Sequence, residues 1–169
     1  MTATDELRQQ LAEGRERLLR AIAGVSEEQF KRRPPKDGDE QPWSIAEVLA
    51  HLLQQEKLRT ERIAIALRDD GATITPSPPE LHVDAARAGR TAPVPQLIHG
   101  LLAARRELDR AIESLDDDGL QHSVVHPQLG KQTVEFMLRE KLIDHEAEHT
   151  AQIEALRELV GAPPTANHP

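Results

Sequence analysis

Asp144-His145-Glu146-Ala147-Glu148-His149-Thr150-Ala151-Gln152-Ile153-Glu154-Ala155-Leu156 sets two imidazoles four residues apart in a run without proline or glycine. Such a run reads as helix, and residues at i and i+4 sit one turn apart on the same face. Leu138, Leu142, Ile153, Leu156 and Val160 continue that face at steps of three and four. The stripe predicts a long amphipathic helix with both histidines turned toward the core. Bare imidazoles buried side by side are costly unless their nitrogens find partners. One divalent cation satisfies both, since histidine ligates zinc, copper, iron and nickel.

Working outward, this fourth helix starts near Gln132 or Thr133 and ends at Val160, with Gly161 as its cap and Pro163-Pro164 as its stop. Similar stripes recur upstream. Leu7, Leu11, Leu18, Leu19 and Ile22 predict a first helix from about Thr4 to Gly24. Ser26-Glu27-Glu28-Gln29 has the form of a capping box on a short turn. The segment from Arg33 to Pro42 is a loop by its proline and glycine content. Ser44 and Glu47 make a second capping box, heading a second helix to about Asp70 on Ile45, Val48, Leu49, Leu52, Ile63 and Leu67. A connection from Gly71 to Pro95, rich in Pro and Ala, has room for one short helix near Pro79 to Arg87. The third helix follows from about Pro95 to Leu115, on Leu97, Ile98, Leu101, Leu102, Leu108 and Ile112. Almost nothing reads as strand. A structureless stretch as long as the Gly71–Pro95 connection is unusual unless it crosses the bundle or covers a site. The expectation is an all-α four-helix bundle with a long crossover between helices 2 and 3.

Composition bounds the function. At 169 residues the chain suits one domain, here residues 1–161 with a loose tail over 162–169. The formal net charge of −8, from 21 basic and 29 acidic residues, argues against binding a phosphate backbone. Trp43, Phe30 and Phe136 are the only aromatics, too few for a base-stacking surface. No nucleic-acid partner is expected. There is no Cys, which excludes disulfides and thiolate metal ligands. The N-terminus lacks the pattern of a signal peptide and no apolar run approaches the ~18 residues of a membrane span, so no membrane contact and a cytoplasmic setting are expected.

Three metal-site readings compete for the fourth helix. His145-Glu146-Ala147-Glu148-His149 satisfies the H-E-x-x-H pattern of zincin proteases, with Glu146 as general base. Little chain follows to supply a third ligand, and the Gly and His of the extended motif are missing, which disfavours it. A di-iron carboxylate bundle needs two Glu-x-x-His pairs; Glu146 and His149 give one, but Glu47 and His51 are one residue too far apart. The third reading is a mononuclear site completed by His51, two turns into the second helix. Three imidazoles leave coordination positions open, as in catalytic sites. Against it, His51 lies at the edge of its apolar stripe rather than at the centre.

Trp43-Ser44-Ile45-Ala46-Glu47-Val48-Leu49-Ala50-His51-Leu52, the Pro127-Gln128-Leu129-Gly130 turn and the Asp144–Leu156 run together resemble the DinB-like (DinB/YfiT) superfamily. The resemblance covers nearly the whole chain: helix count, crossover and the order of the three histidines. It implies a four-helix bundle, often a homodimer, holding nickel or zinc on three histidines. Those ligands fall on His51, His145 and His149. It also implies activities in which a low-molecular-weight thiol attacks a small electrophile or assists an isomerisation. The family name reflects induction by DNA damage and says nothing of DNA binding.

Plainer readings stand beside these. His145 and His149 are alternatively core histidines bonded to backbone or carboxylates, and His51 a surface one. Glu56, near the centre of the second stripe, reads either as a group orienting a ligating imidazole or as a snorkelling carboxylate. Trp43 is most simply a core plug. His122 and His126 are loop residues with a claim to a site rim, and His82 and His99 solvated or rim residues. No general base is assigned among Glu146, Glu148 and Glu56. Two functions stay open: a metal-dependent enzyme, thiol transfer first and hydrolysis second, or a non-enzymatic metal-binding stress protein.

Overall fold

Thr2, Ser26, Ser44 and Thr133 each precede a helix, and each hydroxyl accepts a backbone N–H three residues on. Such caps satisfy amides that a helix leaves bare at its start. In a computed structural model, which describes residues 1–36 and 42–164, the helices they open are α1 (Ala3–Ile22), α2 (Glu27–Lys31), α3 (Ile45–Arg68) and α6 (Val134–Leu138). Both expected capping boxes form, Ser26 with Gln29 and Ser44 with Glu47. Two further helices, α4 (Leu81–Gly89) and α5 (Val94–Ala111), lie between α3 and α6. Residues Arg139–Ile143 form a π turn that leads from α6 directly into α7 (Asp144–Leu159). Parts of the expected loop (37–41) and of the tail (165–169) lie outside the described residues.

The chain forms a four-helix bundle of α1, α3, α5 and the α6–α7 unit. Its core splits into two apolar clusters. One gathers Leu18 and Ile22 of α1, Ile45 and Leu49 of α3, Leu97 and Leu101 of α5, and Ile153 and Leu156 of α7. The other gathers Leu7 and Leu11, Ile63 and Ala66, Leu108 and Ile112, and Leu138 and Leu142. Following each helix through the clusters gives its direction. α1 and the α6–α7 unit run one way; α3 and α5 both run the other. Two parallel helices cannot be joined by a short loop, so the chain between α3 and α5 must return along the bundle. That is the crossover, and α4 is the helix expected within it.

One element is a correction. The connections carry a three-stranded sheet in the order β1-β2-β3: β1 (Ala72–Thr73), β2 (Ser123–His126) and β3 (Gly130–Thr133). β1 pairs with β2 in parallel, and β2 with β3 as a hairpin with His126 opposite Gly130. Strands this short show no usable alternation in sequence. The sheet closes one end of the bundle, with Ile74 and Val124 in the second apolar cluster. His126 is buried here, its Nδ1 accepting the N–H groups of Gln128 and Leu129 at 3.2 Å each. His122 lies beside Asp70, at the opposite end of α3 from His51.

Candidate metal centre

Between the two apolar clusters lies a charged layer with one residue from each long helix: Arg15, Glu56, Arg105 and Glu146, all buried. Glu146 Oε2 accepts from Arg15 Nη2 at 2.7 Å and from Arg105 Nη2 at 3.0 Å. Glu56 accepts from Arg105 Nε at 2.6 Å and from Arg15 Nη2. Spare guanidinium donors reach the carbonyls of Leu101 (from Arg15, 2.8 Å) and Leu11 (from Arg105). Burial by itself lowers the Arg15 pKa, but Glu146 and Glu56 outweigh it and hold the group above its ordinary value. Glu56 therefore partners arginines rather than an imidazole. Glu146 points into the core, committed to two guanidinium donors, so it cannot act as a zincin's base; Glu148 is exposed.

The π turn explains why Glu146 takes that place. A regular helix would carry the inward stripe from Leu138 and Leu142 to His145 and His149. A π turn adds one residue per turn, so the inward direction passes instead to Glu146 and Thr150, both buried. The histidines are half-buried and rotate toward α3 rather than into the apolar core.

There they meet His51. One nitrogen from each of His51, His145 and His149 lies within 4.8 Å of the others. The ring centroids stand 5.1 Å apart for His51–His145, 4.9 Å for His51–His149 and 4.5 Å for His145–His149. The Nε2 atoms of His51 and His145 are 3.2 Å apart. Two nitrogens bound to one ion at about 2.1 Å sit roughly 3.0–3.4 Å from each other, so this pair already has the spacing of shared ligands. His149 donates from Nδ1 to Gln152 Oε1 at 2.7 Å, which leaves its Nε2 lone pair free. His51 is buried, and its Nδ1 makes no hydrogen bond among the described residues, although the backbone of His82 lies close enough to act on its charge.

Burial, reinforced by the neighbouring His149 and His82, lowers the His51 pKa to about 4. Burial, then His149, His51, Arg59 and Lys141, lowers that of His145 to about 4. Both rings are neutral at physiological pH, the form that binds a cation. The donor set thus fits a divalent metal: imidazole nitrogens at close spacing, two of the rings held neutral by burial, and no carboxylate among the described residues to complete a di-iron site.

Sequence placed His51 at the edge of an apolar face. The crossover makes that edge an interior, because α4 packs closely against α3. A Cβ on Gly89 would lie 2.5 Å from the Ala46 carbonyl oxygen. His82, on α4, stands 5.9 Å from His51 at an interplanar angle of 74°, and its Nδ1 contacts Gln55 Nε2. Trp43 packs on the first apolar cluster as a plug, yet its ring also lies 5.2 Å from that of His51. His82, one of the solvated-or-rim candidates, does form a rim, together with Gln55, which sequence reading did not name although it lies one turn beyond His51. His99 is exposed.

A family model described as the DinB superfamily matches residues 10–153. The chain belongs to the DinB superfamily. No curated protein matches its sequence. Among solved structures, YfiT from Bacillus subtilis, described as a probable metal-dependent hydrolase with an unusual four-helix bundle topology, superposes with a TM-score of 0.78 at 21% identity, covering 95% of this chain and 89% of YfiT. The four-helix bundle protein TT2238 gives 0.64 at 19% identity over 90% of this chain and 99% of its own. The mycothiol-dependent maleylpyruvate isomerase gives 0.65 at 17% identity over 97% of this chain, which spans 65% of the isomerase. At these identities the likeness is one of fold. No helix among the described residues is long and apolar enough to cross a membrane.

Proposed function

We propose that this DinB-superfamily chain is a divalent-metal-dependent enzyme in which His51, His145 and His149 hold nickel or zinc. Its reaction is transfer of a low-molecular-weight thiol to a small electrophile, with metal-assisted hydrolysis as the second chemistry. The observation that carries this reading is the convergence of three imidazoles from α3 and α7, with His51 and His145 held neutral by burial and no carboxylate among the described residues closing the set. Bound there, a divalent ion would bring the pKa of a coordinated thiol or water down toward neutrality. Because the chain has no Cys, the sulfur must come from a cosubstrate. The fold's occurrence in a mycothiol-dependent isomerase supports the thiol chemistry, and YfiT's description the hydrolytic one.

The chain's own residues have separable roles. Gln152 fixes the His149 tautomer through Nδ1. Trp43 and His82 pack against the His51 ring and limit water on its outer side. The Arg15–Glu56–Arg105–Glu146 layer locks α1, α3, α5 and α7 in register, so that α3 and α7 present their histidines to one point.

The test is consumption of a thiol in the presence of a chlorodinitrobenzene or an epoxide, with protein loaded with zinc or nickel. Thiol transfer predicts a rate that needs the metal and disappears in His149→Ala. A metal-dependent hydrolysis of esters or amides with no thiol consumption would shift the reading to the second chemistry. No metal-dependent turnover of either kind would leave only the metal-binding stress-protein reading.

A further inference from the structure

Four arginines are buried among the described residues: Arg15, Arg62, Arg105 and Arg157. Arg15 and Arg105 each bind two carboxylates. Arg157 donates to the carbonyls of Ala21 at 2.7 Å, Ala23 at 2.8 Å and Pro163. Arg62 differs: at 5% exposure its side chain makes one hydrogen bond among the described residues, to Ser77 Oγ at 3.3 Å. Arg59, one turn back on α3 and half-buried, hydrogen-bonds among the described residues to Gln55 Oε1 alone, at 3.5 Å, and its buried Nε has no partner there. Neither has an ion-pair partner among the described residues. Two adjacent guanidiniums taken out of water without a counter-charge are expensive. Burial and then the charge of Arg62 press the Arg59 pKa down to about 10. Burial also lowers that of Arg62, outweighing the opposing charge of Glu61.

Their placement gives the cost a purpose. His51, Gln55, Arg59 and Arg62 follow one another on α3 at steps of four, four and three, so they share one side of the helix. Arg59 is close enough to His145 for its charge to bear on that ring, and it joins the histidines through Gln55 and His82. We propose that Arg59 and Arg62 are an anion-binding arm of the three-histidine site, which holds a carboxylate or phosphate group of the small-molecule substrate or thiol while its reacting end lies at the histidines. This rests on the reading of those histidines as the reaction centre, but the arm itself needs no metal. A planar guanidinium offers paired donors to such oxyanions, and a second one beside it favours a doubly charged ligand.

The experiment is calorimetric titration of the full chain, zinc-loaded and chelator-treated, with succinate, with inorganic phosphate, and with sodium chloride as control. Saturable binding of succinate or phosphate is expected in both preparations, and the better binder identifies the oxyanion. Arg62→Gln and Arg59→Gln should each weaken it by about tenfold or more, since each removes a charge-assisted contact. Arg59→Gln, at the half-buried position, keeps the test valid if Arg62→Gln does not fold. It should also melt no lower than the unmodified protein in anion-free buffer, because it relieves the repulsion. No saturable binding of either anion, or equal affinity in the Arg59→Gln chain, overturns the arm. Anion binding without zinc uptake would instead overturn the metal reading and leave the arm standing.

Discussion

Glu146→Gln separates two roles that one residue would have in two different proteins. In a zincin this carboxylate is the base, and its loss removes activity from a stable fold. Here its Oε2 accepts from Arg15 at 2.7 Å and Arg105 at 3.0 Å in the centre of the bundle. The amide keeps the shape but removes one of two negative charges facing two guanidiniums. Breaking a buried pair from one side costs about 3–5 kcal/mol, and losing charge assistance in two hydrogen bonds gives a similar figure. With a urea slope of roughly 2 kcal/mol per molar for a chain of this size, the unfolding midpoint should fall by about 2 M with little change of slope. Zinc uptake per folded molecule, measured below the new midpoint, should stay as in the unmodified protein, because Glu146 faces away from the three histidines. A midpoint shift below about 0.5 M refutes the buried-layer account. Loss of zinc from a folded variant refutes the assignment of Glu146 to the core.

Gly89→Ala should cost about 1–3 kcal/mol by overpacking, because the new Cβ would meet the Ala46 carbonyl at 2.5 Å and the Glu47 Cα at 2.9 Å. Lifting α4 in this way should also move the His82 ring resonances in an NMR spectrum; an unchanged melting temperature would show that α4 docks loosely. Leu129→Ser, at a hairpin-tip residue that is 69% exposed, should change the melt by less than about 0.5 kcal/mol. In chelator-treated protein, stability should decline as pH falls from 6.5 toward 5. Burial holds His51 and His145 neutral down to about 4, so the unfolded chain binds protons that the native state refuses. Urea midpoints that are flat across that window in the metal-free protein would contradict those depressed values.

Much of the architecture was legible because the chain marks it locally. Ser26, Ser44 and Gly161 punctuate helices at the places where the structure starts and stops them. The length of the Gly71–Pro95 connection anticipated a crossover, which the parallel course of α3 and α5 requires. The misses have physical causes. The β strands pair across long separations with two to four residues each, too few for a pattern. The π turn at Arg139–Ile143 shifts a helical wheel by one residue, so Glu146 rather than His145 faces the core. The placement of His51 depends on α4 lying over its edge of α3, and no local signal reveals that. Arg59 and Arg62 carry no local signal in the sequence, because only the packing of the fold buries Arg62 and half-buries Arg59.

Metal content tests the central claim most directly. The 169-residue chain offered nickel or zinc, then desalted and measured by inductively coupled plasma mass spectrometry, should carry about one ion per chain. His51→Ala should lose most of it and the His145→Ala/His149→Ala double variant all of it, each with its helical circular dichroism intact. An unmodified protein that takes up neither metal, or a His51→Ala variant that binds as well as the unmodified chain, would contradict the three-histidine site.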